Sequence, residues 1–134
     1  MNKSKKDKKK VKVKRSTAGL GLFADEPISR NDFILEYTGE QISTSEADRR
    51  GGKYLFELSD SVVIDGKGRE NIARYINHSC KPNCETDTVR GRIIITARKN
   101  IQTGEELTYD YGKEYFDDFI KEAGCLCSHC LSKK

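Results

Sequence analysis

The chain of 134 residues is predicted to form one mainly β domain of small sheets with few short helices. Three observations lead there. Apolar and β-branched residues come in short runs, and glycine, asparagine and aspartate interrupt those runs at close intervals. Only Thr44–Arg50 and Lys113–Glu122 read as helices of more than a single turn. A chain of this length closes one core, not a second domain of similar size.

Taken in order, Met1–Lys10 is almost free of apolar residues and is expected to be a disordered basic tail. Val11-Lys12-Val13-Lys14 alternates and reads as a short edge strand. Gly19–Ala24 is a turn entering a strand, and Asp32–Tyr37 is the next strand. Ser43 and Glu46 have capping-box spacing, which starts a helix at Thr44, and Gly51-Gly52 stops it after Arg50. Lys53–Leu58 and Ser61–Asp65 pair as a hairpin around Ser59-Asp60. Asn71–Ile76 is a helical turn leading into a loop at Asn77-His78-Ser79. Gly91–Ala97 and Glu106–Tyr109 are strands separated by Asn100–Glu105, which holds the turn pair Thr103-Gly104. The last helix, Lys113–Glu122, carries Tyr115, Phe116, Phe119 and Ile120 on one side. Ala24, Ile28 and Ile34 share their spacing with Ala97, Ile101 and Leu107, which suggests two similar strand–turn–strand units, too short for a solenoid.

Hydrophobic residues make up 35% and charged residues 34%, so the core is expected to be modest and the surface well solvated. No stretch approaches the 18 or so apolar residues of a membrane span, and the basic N-terminus lacks the apolar segment of a secretory signal. Residues 1–15 hold nine Lys/Arg and one acid, whereas the rest holds 16 Lys/Arg against 20 acids. The tail is therefore either a solubilising segment or attracted to nucleic acid or another polyanion. The mildly acidic body suits a basic peptide. Five cysteines, three of them in the cluster Cys125-x-Cys127-x2-Cys130, point to metal rather than disulfides in a chain without an export signal. Structural zinc takes four ligands, and Cys80, Cys84 and His129 are candidates for the fourth.

Three further motifs carry chemistry. Gly19-Leu20-Gly21 by itself is a tight turn before a strand, or a place where a ligand approaches bare backbone. It lacks the third glycine, the following helix and the acidic partner of a dinucleotide fingerprint. The stretches Asn77-His78-Ser79-Cys80-Lys81-Pro82-Asn83 and Glu105-Glu106-Leu107-Thr108-Tyr109-Asp110-Tyr111 put several polar side chains in a row, which an ordinary packed strand does not. Tyrosines at strand ends, such as Tyr37 and Tyr109, are commonly amphipathic edges of a core.

In this order the four motifs resemble a SET-domain protein-lysine N-methyltransferase with a post-SET zinc-binding segment, over about Val11 to Cys130. The resemblance implies the SET fold: small curved β-sheets, few short helices and a C-terminal pseudoknot, in which the Asn-His-Ser segment crosses the Tyr-bearing one. It divides the chain into a tail (1–10), a SET domain (11–112) and a post-SET helix and zinc segment (113–134). It implies S-adenosylmethionine held by Ala18, Gly19, Leu20, Gly21, Tyr54, Asn77 and His78. Tyr37, Tyr109 and Tyr111 would wall a lysine channel, with Tyr111 the catalytic tyrosine. The implied reaction is in-line displacement, the lysine ε-nitrogen taking the sulfonium methyl. Only the neutral amine has the lone pair for it, and desolvation beside a positive sulfonium disfavours ammonium, so no strong general base is required. One zinc per chain would be held by Cys80 with Cys125, Cys127 and Cys130, although C-x-C-x2-C departs from the family's C-x-C-x4-C. His129 inside the cluster would crowd the metal, and Cys84 reads as a small apolar residue in the packing.

The activity expected is mono-methylation, with some dimethylation, of a lysine in a histone tail or another basic protein. The expected form is an intracellular monomer without a membrane partner, nuclear if eukaryotic and cytoplasmic, or delivered to a host nucleus, if bacterial or viral. Two rivals are a basic-tailed zinc module for nucleic acid, contacting it through residues 1–15, and a silent SET domain that reads peptides. The first leaves the three tyrosines and Asn77-His78 unexplained, and intact Tyr111 speaks against the second.

Overall fold

The computed structural model describes residues 8–17, 19–52 and 54–112. Among the described residues, ten strands, one α-helix and one 3-10 turn follow in the order β1 (Val11–Ser16), β2 (Gly19–Ala24), β3 (Phe33–Tyr37), β4 (Glu40–Ser43), α1 (Thr44–Arg50), β5 (Leu55–Glu57), β6 (Val62–Asp65), the 3-10 turn (Ile72–Tyr75), β7 (Asn77–His78), β8 (Cys84–Val89), β9 (Arg92–Ala97) and β10 (Thr108–Tyr109). They form four small sheets, ordered β1-β2, β10-β7, β3-β9-β8 and β4-β6-β5. The mainly β expectation holds. The expected helix over Lys113–Glu122, the cluster Cys125–Cys130 and the first seven residues lie outside the described residues.

Strand β9 shows why the core sits where it does. Its side chains alternate, with Ile93, Ile95 and Ala97 buried and their neighbours half-exposed, as a period of two demands when one face meets the core. With Leu22, Ile28, Ile34, Ile101 and Leu107, all 0–2% exposed, they form the centre of the main cluster.

The echo in the sequence has a structural counterpart. Ile28 and Ile101 bond each other across an isolated antiparallel bridge. Gly104 N donates to Ala24 O at 2.8 Å, and Asn31 N donates to Ala97 O at the same distance. Ala24 N donates to Glu105 O, and Ala97 N to Asp32 O. Each unit thus closes the other, so every bond has a partner bond at the matching position. The turn each requires puts Asn31 at φ 76° and Gly104 at φ 95°, a region glycine and asparagine tolerate best.

Helix α1 is capped as expected at its start: Ser43 Oγ accepts from Glu46 N at 3.1 Å, and Gly51, at φ 65°, donates its N–H to Ala47 O. The Glu46 carboxylate pairs with Arg49 and Arg50, which hold its pKa down to about 2. Arg50 also reaches Glu40 and buried Asp65, tying α1 to β4 and β6.

Four expectations are corrected. Strand β8 was not foreseen, because Cys-Glu-Thr-Asp-Thr-Val buries only Cys84; the strand is made by its six-residue register with β9, tertiary pairing overriding propensity. Strand β4, where Ile42 alone is buried, escaped for the same reason. Asn77-His78 is a two-residue strand, not a loop. The end of the basic tail is bound: Lys9 N donates to Ile34 O, Lys10 N to Glu26 Oε2, and Lys9 Nζ lies 3.4 Å from Asp32.

Candidate active site

The two polar motifs meet. Strand β7 runs parallel to β10, with Asn77 opposite Thr108 and His78 opposite Tyr109, and Ser79 N donates to Tyr109 O. Two residues of parallel ladder are a weak attachment, and Asn83 reinforces it. Its buried side chain accepts from Thr108 N at 2.9 Å and donates to Glu106 O at 2.8 Å, so it bonds both peptide groups flanking Leu107. Leu107 N in turn donates to Leu22 O, joining this segment to β2.

Asn77 faces the glycine turn. Its Nδ2 donates to Leu20 O at 2.9 Å and to Glu106 Oε2 at 2.8 Å. Both oxygens of Glu106 also accept from Ser16 Oγ, at 2.8 and 2.9 Å. The two glycines of the turn have separate reasons. Gly19 sits at φ 102°, in the left-handed region. At Gly21 a Cβ would lie 2.4 Å from Glu106 Oε2 and 2.9 Å from Ser16 Cβ. The bareness expected to admit a ligand is, at Gly21, taken by a carboxylate of the protein itself. Between them Leu20 is 54% exposed, an apolar side chain left at the rim. Ala18 lies outside the described residues.

His78 points the other way and is buried. Its Nδ1 accepts from Tyr111 N at 3.1 Å, and Nε2 lies 3.4 Å from Cys80 Sγ. Burial lowers its pKa, against the opposing pull of Asp110 at 3.8 Å. A neutral ring accepting at Nδ1 carries its proton on Nε2.

The three tyrosines are brought into one aromatic row. Tyr37 packs on Phe56 with centroids 5.1 Å apart, Phe56 lies 6.2 Å from Tyr109, Tyr109 lies 5.0 Å from Tyr111, and Tyr111 meets the His78 ring edge-on at 5.4 Å. The Tyr111 hydroxyl donates to Ile76 O and that of Tyr37 to Tyr54 O. Tyr37 is fixed further by Asn71, whose buried amide accepts from Thr38 N and donates to Gly66 O; a Cβ on Gly66 would strike both residues. Tyr54 stands beneath Arg74, whose guanidinium lies 4.3 Å from the ring centroid.

Of the expected zinc ligands, Cys80 is exposed, and Cys125, Cys127 and Cys130 lie outside the described residues, as does the alternative His129. Cys84 is 1% exposed and belongs to the core, and burial pushes its thiol up to about 12. A ligand thiolate is therefore disfavoured there, in keeping with the packing role expected for it. Phe56, Asn71, Asn83 and Glu106 were not singled out by sequence. The one signal available was that Asn83 and Glu106 lie inside the two polar stretches.

A glycine turn bonded to the Asn77 side chain of an Asn-His strand, which itself pairs with a tyrosine strand, defines a SET domain. Residues 19–112 match the family model described as the SET domain, and the chain belongs to that family. It is 43% identical over 140 residues to "Histone-lysine N-methyltransferase, H3 lysine-4 specific" of Aspergillus oryzae, covering 94% of this chain and 11% of the relative. It is also 43% identical over 121 residues to the protein of that name in Schizosaccharomyces pombe, covering 81% of this chain and 13% of the relative. The chain thus spans only a small part of these curated relatives. Among solved structures, a chain of the Chaetomium thermophilum polycomb repressive complex 2 superposes with a TM-score of 0.72 at 38% identity, over 79% of this chain and 16% of that one. The same complex in an autoinhibited conformation bound to S-adenosylmethionine gives 0.67 at 38% identity, over 78% and 15%.

Proposed function

We propose that the protein is an S-adenosylmethionine-dependent protein-lysine N-methyltransferase acting on a histone tail, adding mainly one methyl group and a second more slowly. The observation that carries this is the β7–β10 ladder. It sets Asn77 beside the Leu20 carbonyl on one side and the aromatic row ending in Tyr111 on the other. The relatives named for histone H3 lysine 4 favour that tail as substrate, and their eukaryotic sources favour the nucleus.

The residues present fit the cofactor. Both amide protons of Asn77 are taken by Leu20 O and Glu106, so its carbonyl oxygen is the end turned to a ligand. Exposed Leu20 offers an apolar surface, and the His78 ring accepts from Tyr111 N and lies beside Cys80. Gly19, Leu20, Gly21, Tyr54, Asn77 and His78, with Ala18, would hold S-adenosylmethionine, which when bound supplies a methyl group activated by positive sulfur. The aromatic row excludes water from an entering lysine side chain. A free lysine titrates near about 10.4, and desolvation favours the neutral amine that carries a lone pair. Fixing Tyr111 through Ile76 O and Tyr37 through Tyr54 O keeps the walls from adjusting, and positioning of this kind supplies much of a transfer rate.

Exposed Cys80 with Cys125, Cys127 and Cys130 would hold one zinc, which would fasten the C-terminal segment beside the site. The test of the reading is retention of labelled S-adenosylmethionine in the absence of nucleic acid. A nucleic-acid module would not retain it, and a folded chain that fails to bind it removes the proposal.

A further inference from the structure

Among the described residues, Glu106 is the carboxylate that lies against Gly21 of the glycine turn. It occupies the space where a Gly21 side chain would be and accepts from Asn77 and from Ser16. Among the described residues it forms no ion pair; the acids that pair with a lysine or arginine are Asp32, Glu36, Glu40, Glu46 and Asp65. A half-buried carboxylate with only neutral donors leaves an uncompensated negative charge directly behind the Asn77 amide. The amide cannot turn over, because Nδ2 bonds both Glu106 and Leu20 O.

We infer that Glu106 is the positioning residue of the cofactor site. It locks Asn77 with its carbonyl oxygen outward and supplies the negative field that selects the ammonium group of the cofactor's amino-acid portion. The inference rests on the proposed cofactor and says which part of it the site reads. It also gives Gly21 a purpose: any side chain there evicts the carboxylate. The ammonium is present in both S-adenosylmethionine and S-adenosylhomocysteine but absent from 5′-methylthioadenosine, which keeps only the nucleoside and the thioether. Loss of Glu106 charge should therefore weaken the first two and spare the third.

The experiment is calorimetric titration of the full chain and of Glu106→Gln with these three compounds. Glutamine keeps the volume and can still accept from Asn77, so the fold is retained while the charge is lost. Hydrogen bonds to charged groups are worth about twice neutral ones, so an affinity loss of about tenfold is expected for S-adenosylmethionine and S-adenosylhomocysteine alike. Methylthioadenosine should bind as it does to the wild type. Equal weakening of all three compounds means that Glu106 is only a strut and overturns the inference, as does no weakening of any. A wild type that binds none of the three overturns instead the cofactor reading on which it rests.

Discussion

Ile28 and Ile101 exchange both of their backbone hydrogen bonds, Ile28 N to Ile101 O at 2.9 Å and Ile101 N to Ile28 O at 2.8 Å. Each residue is 2% exposed, and each sits midway along one of the two matching strand–turn–strand units. The pair therefore clamps β2 and β3 to the segments that carry β9 and β10, and so holds the candidate site together from behind.

Truncating either isoleucine should have the same consequence. Ile28→Ala and Ile101→Ala should each lower stability by about 2–5 kcal/mol, as buried large-to-small changes do. Because the two residues are paired across the bridge, the double mutant should depart from the sum of the singles. Urea unfolding measures all three. Strict additivity would show that the units are not coupled through this pair.

The cysteines separate into two chemical classes. Burial raises the Cys84 thiol to about 12, above its ordinary value. The folded state thus holds that proton more tightly than the unfolded chain. The associated stability is complete below the unfolded value of about 8.5 and is lost as pH rises toward 12. Alkylation of the native protein near neutral pH should leave Cys84 unmodified with or without a chelator. Cys80, Cys125, Cys127 and Cys130 should react slowly in the zinc-loaded protein and quickly once the metal is removed. Equal rates before and after chelation would rule out a shared zinc.

Tyr109 should decide the number of methyl groups. It is buried between Phe56 and Tyr111, and in the proposed lysine channel its hydroxyl would occupy volume that a methylated amine needs. Tyr109→Phe frees that volume, and a displacement of about 1 Å at a reacting group can change a rate by on the order of a hundredfold. The wild type should give chiefly mono-methyl-lysine and the variant higher states, read by mass spectrometry of the product. Wild-type protein that accumulates trimethyl-lysine as readily as the variant refutes this role.

Much of the fold was readable because its signals are local. The Ser43 cap and the Gly51 stop bracket α1, and strict alternation marks β9. Strands β4 and β8 were not readable, since their residues become strands only by pairing with β6 and β9. The same division runs through the site. Asn77, His78 and the tyrosines could be named from their motifs. Glu106 and Asn83 could not, because their roles lie in contacts with Gly21, Asn77 and Thr108, which neither lies beside in sequence. A glycine read as open space for a ligand can equally be space for a distant side chain, and sequence does not distinguish the two.

Methyl transfer to lysine is read from the fate of an isotope-labelled methyl group. The full chain is incubated with S-adenosylmethionine carrying that label and with histone H3, and the product is digested and mapped by mass spectrometry. Label is expected on a lysine ε-nitrogen, mainly as a single methyl, and is expected to be lost in Tyr111→Phe without loss of cofactor binding. Folded protein that binds S-adenosylmethionine yet labels no lysine of H3 or of other basic proteins would contradict it.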